Sequence, residues 1–541
     1  MTARAERRAA LAILMTTKAH QALTLITVTS AVLTSAAQTT QSTAVSQAPS
    51  AAPAAFDGTL DQIKNPLPWL KWGGDLRLRN EYFDNALSLT PDRSVSPLFA
   101  PVHEQDYLRF RGRLWTSLVP TEGLSLNVRV TAEPRDFLKT STMDTYFGEQ
   151  GMQWRYGIVD TLNLQWKRPL DLPITVTVGR QDIFLGDGWL VGDGTPEDGS
   201  FTYFLDAARV TWDLKELHTT VDAIGLVQDA RPDGWLPTLG PSTSQGAHPE
   251  PLLLTDQNEK GAILWVANKS VPAANLDAYF IYKQDSRLSS TPEAAFGDNA
   301  NIYTLGARLS GVLQEHWKYS AEGAYQFGEK QDPELNMGGS NPLLAPGAET
   351  TGFRDISAFG INSKLSYLFK DRWSNQLCLS YQFLSGDKPG TANDEMFDVL
   401  WGRWPSWSEM YNIYSYVQET RVGQTANLHR VGPTWSVTPL KNLDFSASYF
   451  ALFADQQVPT RDLDHAFSGL LGPNAPSPFA GANPGVTSGG NFRGHYLQGV
   501  LKYKFNSHVS GHLWAEFLFP GDYYVSRNVV DFLRAEVMFT F

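Results

Sequence analysis

Polar and apolar residues alternate along much of this chain, most sharply in YLRFRGRLWTSLV, residues 107–119. Leu108, Phe110, Gly112, Leu114 and Leu118 share one parity, while Arg109, Arg111 and Arg113 take the other, followed by Trp115 and Ser117. Successive side chains of a β-strand point to opposite faces, so this spacing predicts a strand with one apolar and one cationic face. A helix would smear the three arginines over roughly 200° of arc.

The parity recurs. DLRLRNEYF (75–83) sets Leu76 and Leu78 against Arg77, Arg79 and Glu81. LSLNVRVTAE (124–133) sets Leu124, Leu126, Val128 and Val130 against Asn127, Arg129, Thr131 and Glu133. Segments 161–167, 174–181, 207–213, 276–283, 303–310, 317–327, 359–369, 376–383, 443–450, 497–505 and 510–519 repeat it. Segments 221–227, 262–267 and 428–437 do so more weakly. FLRAEVMFTF (532–541) ends the chain with Leu533, Ala535, Val537, Phe539 and Phe541 on one face, and Arg534, Glu536, Met538 and Thr540 on the other.

One short alternation is weak evidence, and the connections carry more. Tight links at 119–123, 168–173, 214–217, 370–374, 437–442 and 505–508 alternate with long polar stretches at 181–204, 228–259, 328–354, 386–427 and 453–493. Short periplasmic turns and long extracellular loops characterise outer-membrane barrels. The expectation is therefore an all-β, transmembrane antiparallel β-barrel of about 18 strands over residues 69–541, with apolar positions toward lipid and polar ones toward a lumen. An even strand number places both termini in the periplasm. Residues 396–417 read as loop.

The N-terminus and the composition fit that reading. Residues 1–37 have the form of a signal peptide: Arg4, Arg7, Arg8 and Lys18 precede the apolar run 22–33, and Ser35, Ala36 and Ala37 offer a cleavage site. Residues 38–68 read as a flexible linker and periplasmic N-terminus. Aromatics make up 12% of the chain, which suits interfacial girdles. A net charge of −12 argues against a nucleic-acid binder and makes a local arginine cluster more telling. The one cysteine, Cys378, allows no intramolecular disulfide or Cys-based metal site, and its parity in QLCLSYQF (376–383) places it on the lumen face.

Closure puts the last strand beside the first, so Arg77, Arg79, Arg109, Arg111, Arg113, Arg129 and Arg534 form one inward wall on four adjacent strands. Glu81, Glu133 and Glu536 are the inward carboxylates nearby, too few to neutralise it. Neighbouring like charges repel, so deleting arginines should cost the fold little. Two readings stand: a substrate-binding surface for anions, or an Arg–Glu network that stiffens the barrel. A lumen of about 18 strands is too wide for side chains to fill, which favours the first. Guanidinium groups pair bidentately with carboxylates, and rings of Arg or Lys favour anions in pores.

Other motifs carry less. Asp182, Asp187, Asp193, Glu197 and Asp198 in loop 181–204 invite comparison with a calcium site, but match no ligand motif and also suit a solvated loop. Trp401, Trp404, Trp407 and Tyr411 in loop 397–416 could stack on sugars, gate the lumen, or pack on themselves. His512 and Glu516 share inward parity without a nucleophile beside them. No catalytic constellation, phosphate loop, metal set or cofactor motif is recognisable, so the expectation is a non-enzyme without cofactor.

The segments GGDLRLRNEYFDNA (73–86), DYLRFRGRLWTSLVP (106–120), TVTVGRQDIFLGDGWLVGD (175–193) and LDAARVTWDLK (205–215), with the last strand, resemble the alginate-export family of bacterial outer-membrane porins. That resemblance implies a monomeric barrel whose basic lumen selects an acidic polysaccharide, with Arg77, Arg109, Arg111, Arg113 and Arg129 matching the basic conduit. The final strand ending on Phe541 looks like the signature read by the barrel assembly machinery, which with outer-membrane lipid is an expected partner. Some family members close the pore with a long periplasmic loop; here the periplasmic turns read as short, so a constriction would come from extracellular loops. Export of an alginate-like polysaccharide leads the functional expectations. Uptake of small organic anions or oligouronates, and a barrel-scaffolded enzyme or adhesin, are the alternatives.

Overall fold

A computed structural model describes residues 63–86, 90–92, 103–139, 151–153, 157–193, 204–242, 254–255, 257–287, 299–331, 353–388, 391–402, 407–410, 426–456, 490–524 and 527–541. The signal-peptide expectation and most of the linker fall outside these residues. Among them, eighteen long strands form one closed antiparallel β-barrel. In chain order these are β1 (Leu70–Asp84), β2 (Glu104–Thr121), β3 (Leu124–Ala132), β4 (Gly157–Lys167), β5 (Ile174–Gln181) and β6 (Leu205–Leu214). Next come β7 (Thr219–Gln228), β8 (Gln257–Val271), β9 (Ala274–Arg287), β10 (Ala300–Leu313), β11 (Trp317–Gln331) and β12 (Phe353–Leu368). The last six are β13 (Gln376–Leu384), β14 (Leu428–Leu440), β15 (Leu443–Phe453), β16 (Phe492–Lys504), β17 (Val509–Pro520) and β18 (Val530–Thr540).

Each strand pairs with its sequence neighbours, and β18 returns to pair with β1, placing Thr540 opposite Asp75 and Glu536 opposite Arg79. Closure leaves no exposed sheet edge. The links at the terminal end are short, for example residues 122–123 and 441–442, and the long links lie at the other end. A hairpin of Arg135–Lys139 and Gly151–Gln153, absent from the expectation, extends the sheet by pairing with β2 where β3 has ended.

The outward parity is apolar and bare: Leu76 is 60% exposed, while its neighbours Asp75 and Arg77 are 2% exposed. Leu114, Leu164, Leu264, Leu305 and Leu379 continue this band, which suits contact with hydrocarbon. Aromatic rings flank it. Trp317, Tyr367 and Phe369 pack at the short-turn end, and Tyr282, Tyr303 and Phe327 stack toward the other. Cys378 is half-buried in the row Ser366–Cys378–Thr434, with Ser366 buried beside it.

The segments with weak alternation are full strands. β7 and β8 carry Ile224, Leu226, Ile263 and Trp265 on the lumen side, all buried. Both faces are apolar there because loops pack against the inner wall, so period two fades.

Candidate functional site

Strand register assembles the arginine wall in four rows across β18, β1 and β2. From the short-turn end these are Thr540–Asp75–Arg113, Met538–Arg77–Arg111, Glu536–Arg79–Arg109 and Arg534–Glu81–Tyr107. The period of two puts every one of these side chains on the lumen face. Arg77, Arg79, Arg109, Arg111 and Arg534 are at most 2% exposed.

Carboxylates interleave with them. Arg79 donates to Glu536, and Arg109 donates to Glu133 at 2.5 Å. Arg113 donates to Asp75 at 2.6 Å, and Arg534 pairs with Glu81 at 2.7 Å and with Glu409 at 3.1 Å. The expectation of three nearby carboxylates falls short, because Asp75 shares the inward parity and Glu409 arrives from a distant loop. Deleting arginines is therefore not neutral: a buried carboxylate left without its partner is strongly destabilising.

Arg129 stands apart from the other six. It donates to Asp160 and, through both terminal nitrogens, to Asp182 at 2.8 and 2.9 Å. Arg113 and Arg129 retain 17% and 16% side-chain exposure and open onto one cleft at the short-turn end. Its volume is about 530 Å³, and Lys71, Trp115, Ser117 and Asn127 also line it. Trp115 lies against Gly73, where a Cβ would come within 3.0 Å of the indole.

Two loops fold into the barrel from the opposite end. After β5, Ile183–Phe184 pairs with Gly192–Asp193, and Val191 bridges in parallel to Trp401. Trp401 donates its backbone N–H to the Leu190 carbonyl at 3.0 Å and its indole N–H to Glu259 at 3.0 Å. Trp189 stacks on Phe397 at 5.6 Å between centroids. The second loop is tied to the inner wall again by Gln326, which donates to the Asp398 carbonyl at 2.7 Å and accepts from its N–H at 2.8 Å.

Inward glycines make room for these rings. A Cβ on Gly261 would lie 2.2 Å from Trp401, and one on Gly360 would lie 2.6 Å from Phe397. Asp187 accepts from Arg308 at 2.5 Å and Ser320 at 2.9 Å. Burial pushes its carboxyl up, but Arg308 and Lys364 outweigh burial and hold it below the usual range. Asp182 and Asp187 are thus engaged with arginines, and no cluster of metal-ligating side chains is found among the described residues.

The same second loop has another anchor on the facing wall. Glu516 on β17 accepts from Ser408 Oγ at 2.7 Å and from the N–H groups of Glu409 and Met410 at 2.9 Å each. Gln498 donates to the Trp407 carbonyl at 2.7 Å. His512 faces Glu536 at 3.3 Å. The inward parity of His512 and Glu516 thus serves loop docking and charge pairing. Loop 397–416 packs inward at both described parts, with Trp401 fully buried; Trp404 and Tyr411 lie outside the described residues.

A family model described as alginate export matches residues 69–534. No curated protein matches the chain. Among solved structures it is similar to Pseudomonas aeruginosa OpdL, at 10% identity and a TM-score of 0.47, covering 88% of this chain and 99% of that one. It is also similar to Acinetobacter baumannii OccAB2, at 12% identity and 0.47, covering 87% and 98%. For Pseudomonas aeruginosa OccK5 (OpdH) the values are 11% and 0.44, covering 87% and 97%.

Proposed function

The chain belongs to the alginate export family and lies in the bacterial outer membrane, and from that premise we propose that it is an anion-selective porin for an alginate-like acidic polysaccharide. Its family and fold point to a channel rather than an enzyme. The observation that carries the reading is the concentration of Arg77, Arg79, Arg109, Arg111, Arg113 and Arg534 on three adjacent strands of one wall in a chain of net charge −12. A cationic wall in a confined, low-dielectric space raises the local concentration of anions. Many moderate contacts in series also let a polymer advance without stalling at one tight site.

Arg113, Arg129 and Lys71 supply the first contacts, because they line the open cleft. Each uronate carries one carboxylate, which meets the Lys71 ammonium directly and reaches the guanidinium forks of Arg113 and Arg129 by competing with Asp75 and Asp182. Trp115, Ser117 and Asn127 offer a ring face and hydrogen-bonding groups beside that charge. Of the five buried arginines, Arg79, Arg109 and Arg534 are held by carboxylates, so the charge a passing solute meets is that of the cleft. No gradient or energy source is built into this arrangement, so transport follows the concentration difference.

The two inward loops favour a second reading, uptake of small organic anions or oligouronates, since a polymer requires release of the anchors at Asp398, Trp401, Ser408 and Glu409. Bilayer recordings with oligosaccharides of equal length test the substrate class. Oligouronates should block the current at concentrations where neutral oligosaccharides do not. Equal block by both overturns the acidic-substrate reading, and block only by the shortest oligouronates selects the second.

A further inference from the structure

Every row of the arginine wall but one contains a carboxylate. The row Met538–Arg77–Arg111 sets two guanidinium groups beside a thioether, and no carboxylate stands in line with them across these three strands. Both side chains are sealed, at 0% and 1% exposure. The carboxylates nearest Arg77 are Glu133 at 3.6 Å and Glu536 at 3.8 Å; for Arg111 the nearest is Asp75 at 3.4 Å. Each is engaged more closely by another arginine: Glu133 by Arg109, Glu536 by Arg79 and Asp75 by Arg113.

Hydrogen bonding tells the same story. Among the described residues, Nε, Nη1 and Nη2 of Arg77 and Nε and Nη1 of Arg111 have no acceptor. Arg111 Nη2 hydrogen-bonds the sulfur of Met538 at 3.9 Å, and a thioether is a weak acceptor; Asp75 Oδ1, 3.4 Å away, has no hydrogen-bond partner among the described residues. Among the described residues, six guanidinium groups (Arg77, Arg79, Arg109, Arg111, Arg113 and Arg534) and five carboxylates (Asp75, Glu81, Glu133, Glu409 and Glu536) meet in the surrounding cluster. Buried charged donors without an acceptor are costly, and an uncompensated buried charge adds to that cost. Water would accept the hydrogen bonds but bring no charge.

We propose that Arg77 and Arg111 hold a chloride-sized halide as a standing constituent of the barrel wall. One monovalent anion accepts the orphaned donors and balances the surplus cation. Compactness is required because both guanidinium groups are closed to solvent, which excludes a sugar ring. The site is thus distinct from the open cleft at Arg113 and Arg129, and it does not depend on which solute the porin carries.

The test uses the full barrel folded in detergent, compared in sodium gluconate, chloride and bromide at one ionic strength. Chloride at ten times its dissociation constant should raise the folded-to-unfolded ratio about elevenfold, with saturation. Crystals grown in bromide should show an anomalous peak between the two guanidinium groups. Arg77→Gln and Arg111→Gln leave each neighbouring carboxylate its closer arginine, so both variants should fold while losing the halide dependence and the peak. A wild-type crystal without a peak there overturns the proposal, as does a chloride effect that persists in both variants. If either variant fails to fold, the wild-type anomalous map decides alone.

Discussion

Trp401 rests its indole in the space left by Gly261 and donates its Nε1–H to Glu259 at 3.0 Å. Two positions 140 residues apart thus fasten a long connection to the inner wall of the barrel. Trp401→Ala removes the ring, at about 3–5 kcal/mol of loop docking. Gly360→Val fills the seat of Phe397 on the same loop, where the nearest neighbours of a Cβ are the rings of Phe397 and Trp189. Both variants should keep the barrel folded and raise single-channel conductance, because the strands do not depend on the loop. Unchanged conductance in both would mean that this loop does not narrow the path.

The arginines are not equivalent in stability. Arg109 is sealed between Glu133 at 2.5 Å and Glu81 at 3.9 Å, whereas Arg113 is partly exposed. Arg109→Gln strips Glu133 of its close partner and should cost about 3–5 kcal/mol. Arg113→Gln should cost less, since water reaches the site and Asp75 keeps Arg111. Urea unfolding of the two folded variants measures the difference. A larger loss at Arg113 would contradict the assignment of buried and open arginines.

These relationships show what period two reveals and what it hides. Strand parity made the inward set legible at Arg77, Arg79, Arg109, Arg111, Arg113, Arg129 and Arg534, because a strand's two faces are written in alternate letters. It could not show Glu409 beside Arg534 or Asp182 beside Arg129, since loops obey no period. Yet the loops left a trace. Ile224, Leu226, Ile263 and Trp265 are apolar on a face that should be polar, and Gly261 and Gly360 are missing side chains on it. An apolar lumen wall with gaps is the imprint of something packed there, and weak alternation in 221–227 and 262–267 was that signal.

The anchor at Asp187 has a defined response to pH. Its carboxyl lies below the usual range in the folded state, so its contribution is fully present above the unfolded value of about 3.9. That contribution fades as pH falls through the lowered folded value. Hydrogen exchange in residues 183–193 should therefore be independent of this group from pH 7 to about 4 and accelerate only below. Asp187→Asn should raise exchange at neutral pH, while Arg308 keeps Asp277 at 2.9 Å. Release of the loop between pH 5 and 7 in the wild type would place the controlling group elsewhere.

The central claim is that the arginine wall makes the lumen prefer anions in a chain that is acidic overall. The reversal potential of the wild-type barrel in a planar bilayer, under a potassium chloride gradient, tests it most directly. The potential should take the sign of chloride permeation and grow as salt is lowered, because screening lengths rise from about 8 Å at physiological ionic strength to about 30 Å at 0.01 M. A reversal potential with the sign of potassium permeation at low salt would contradict the account.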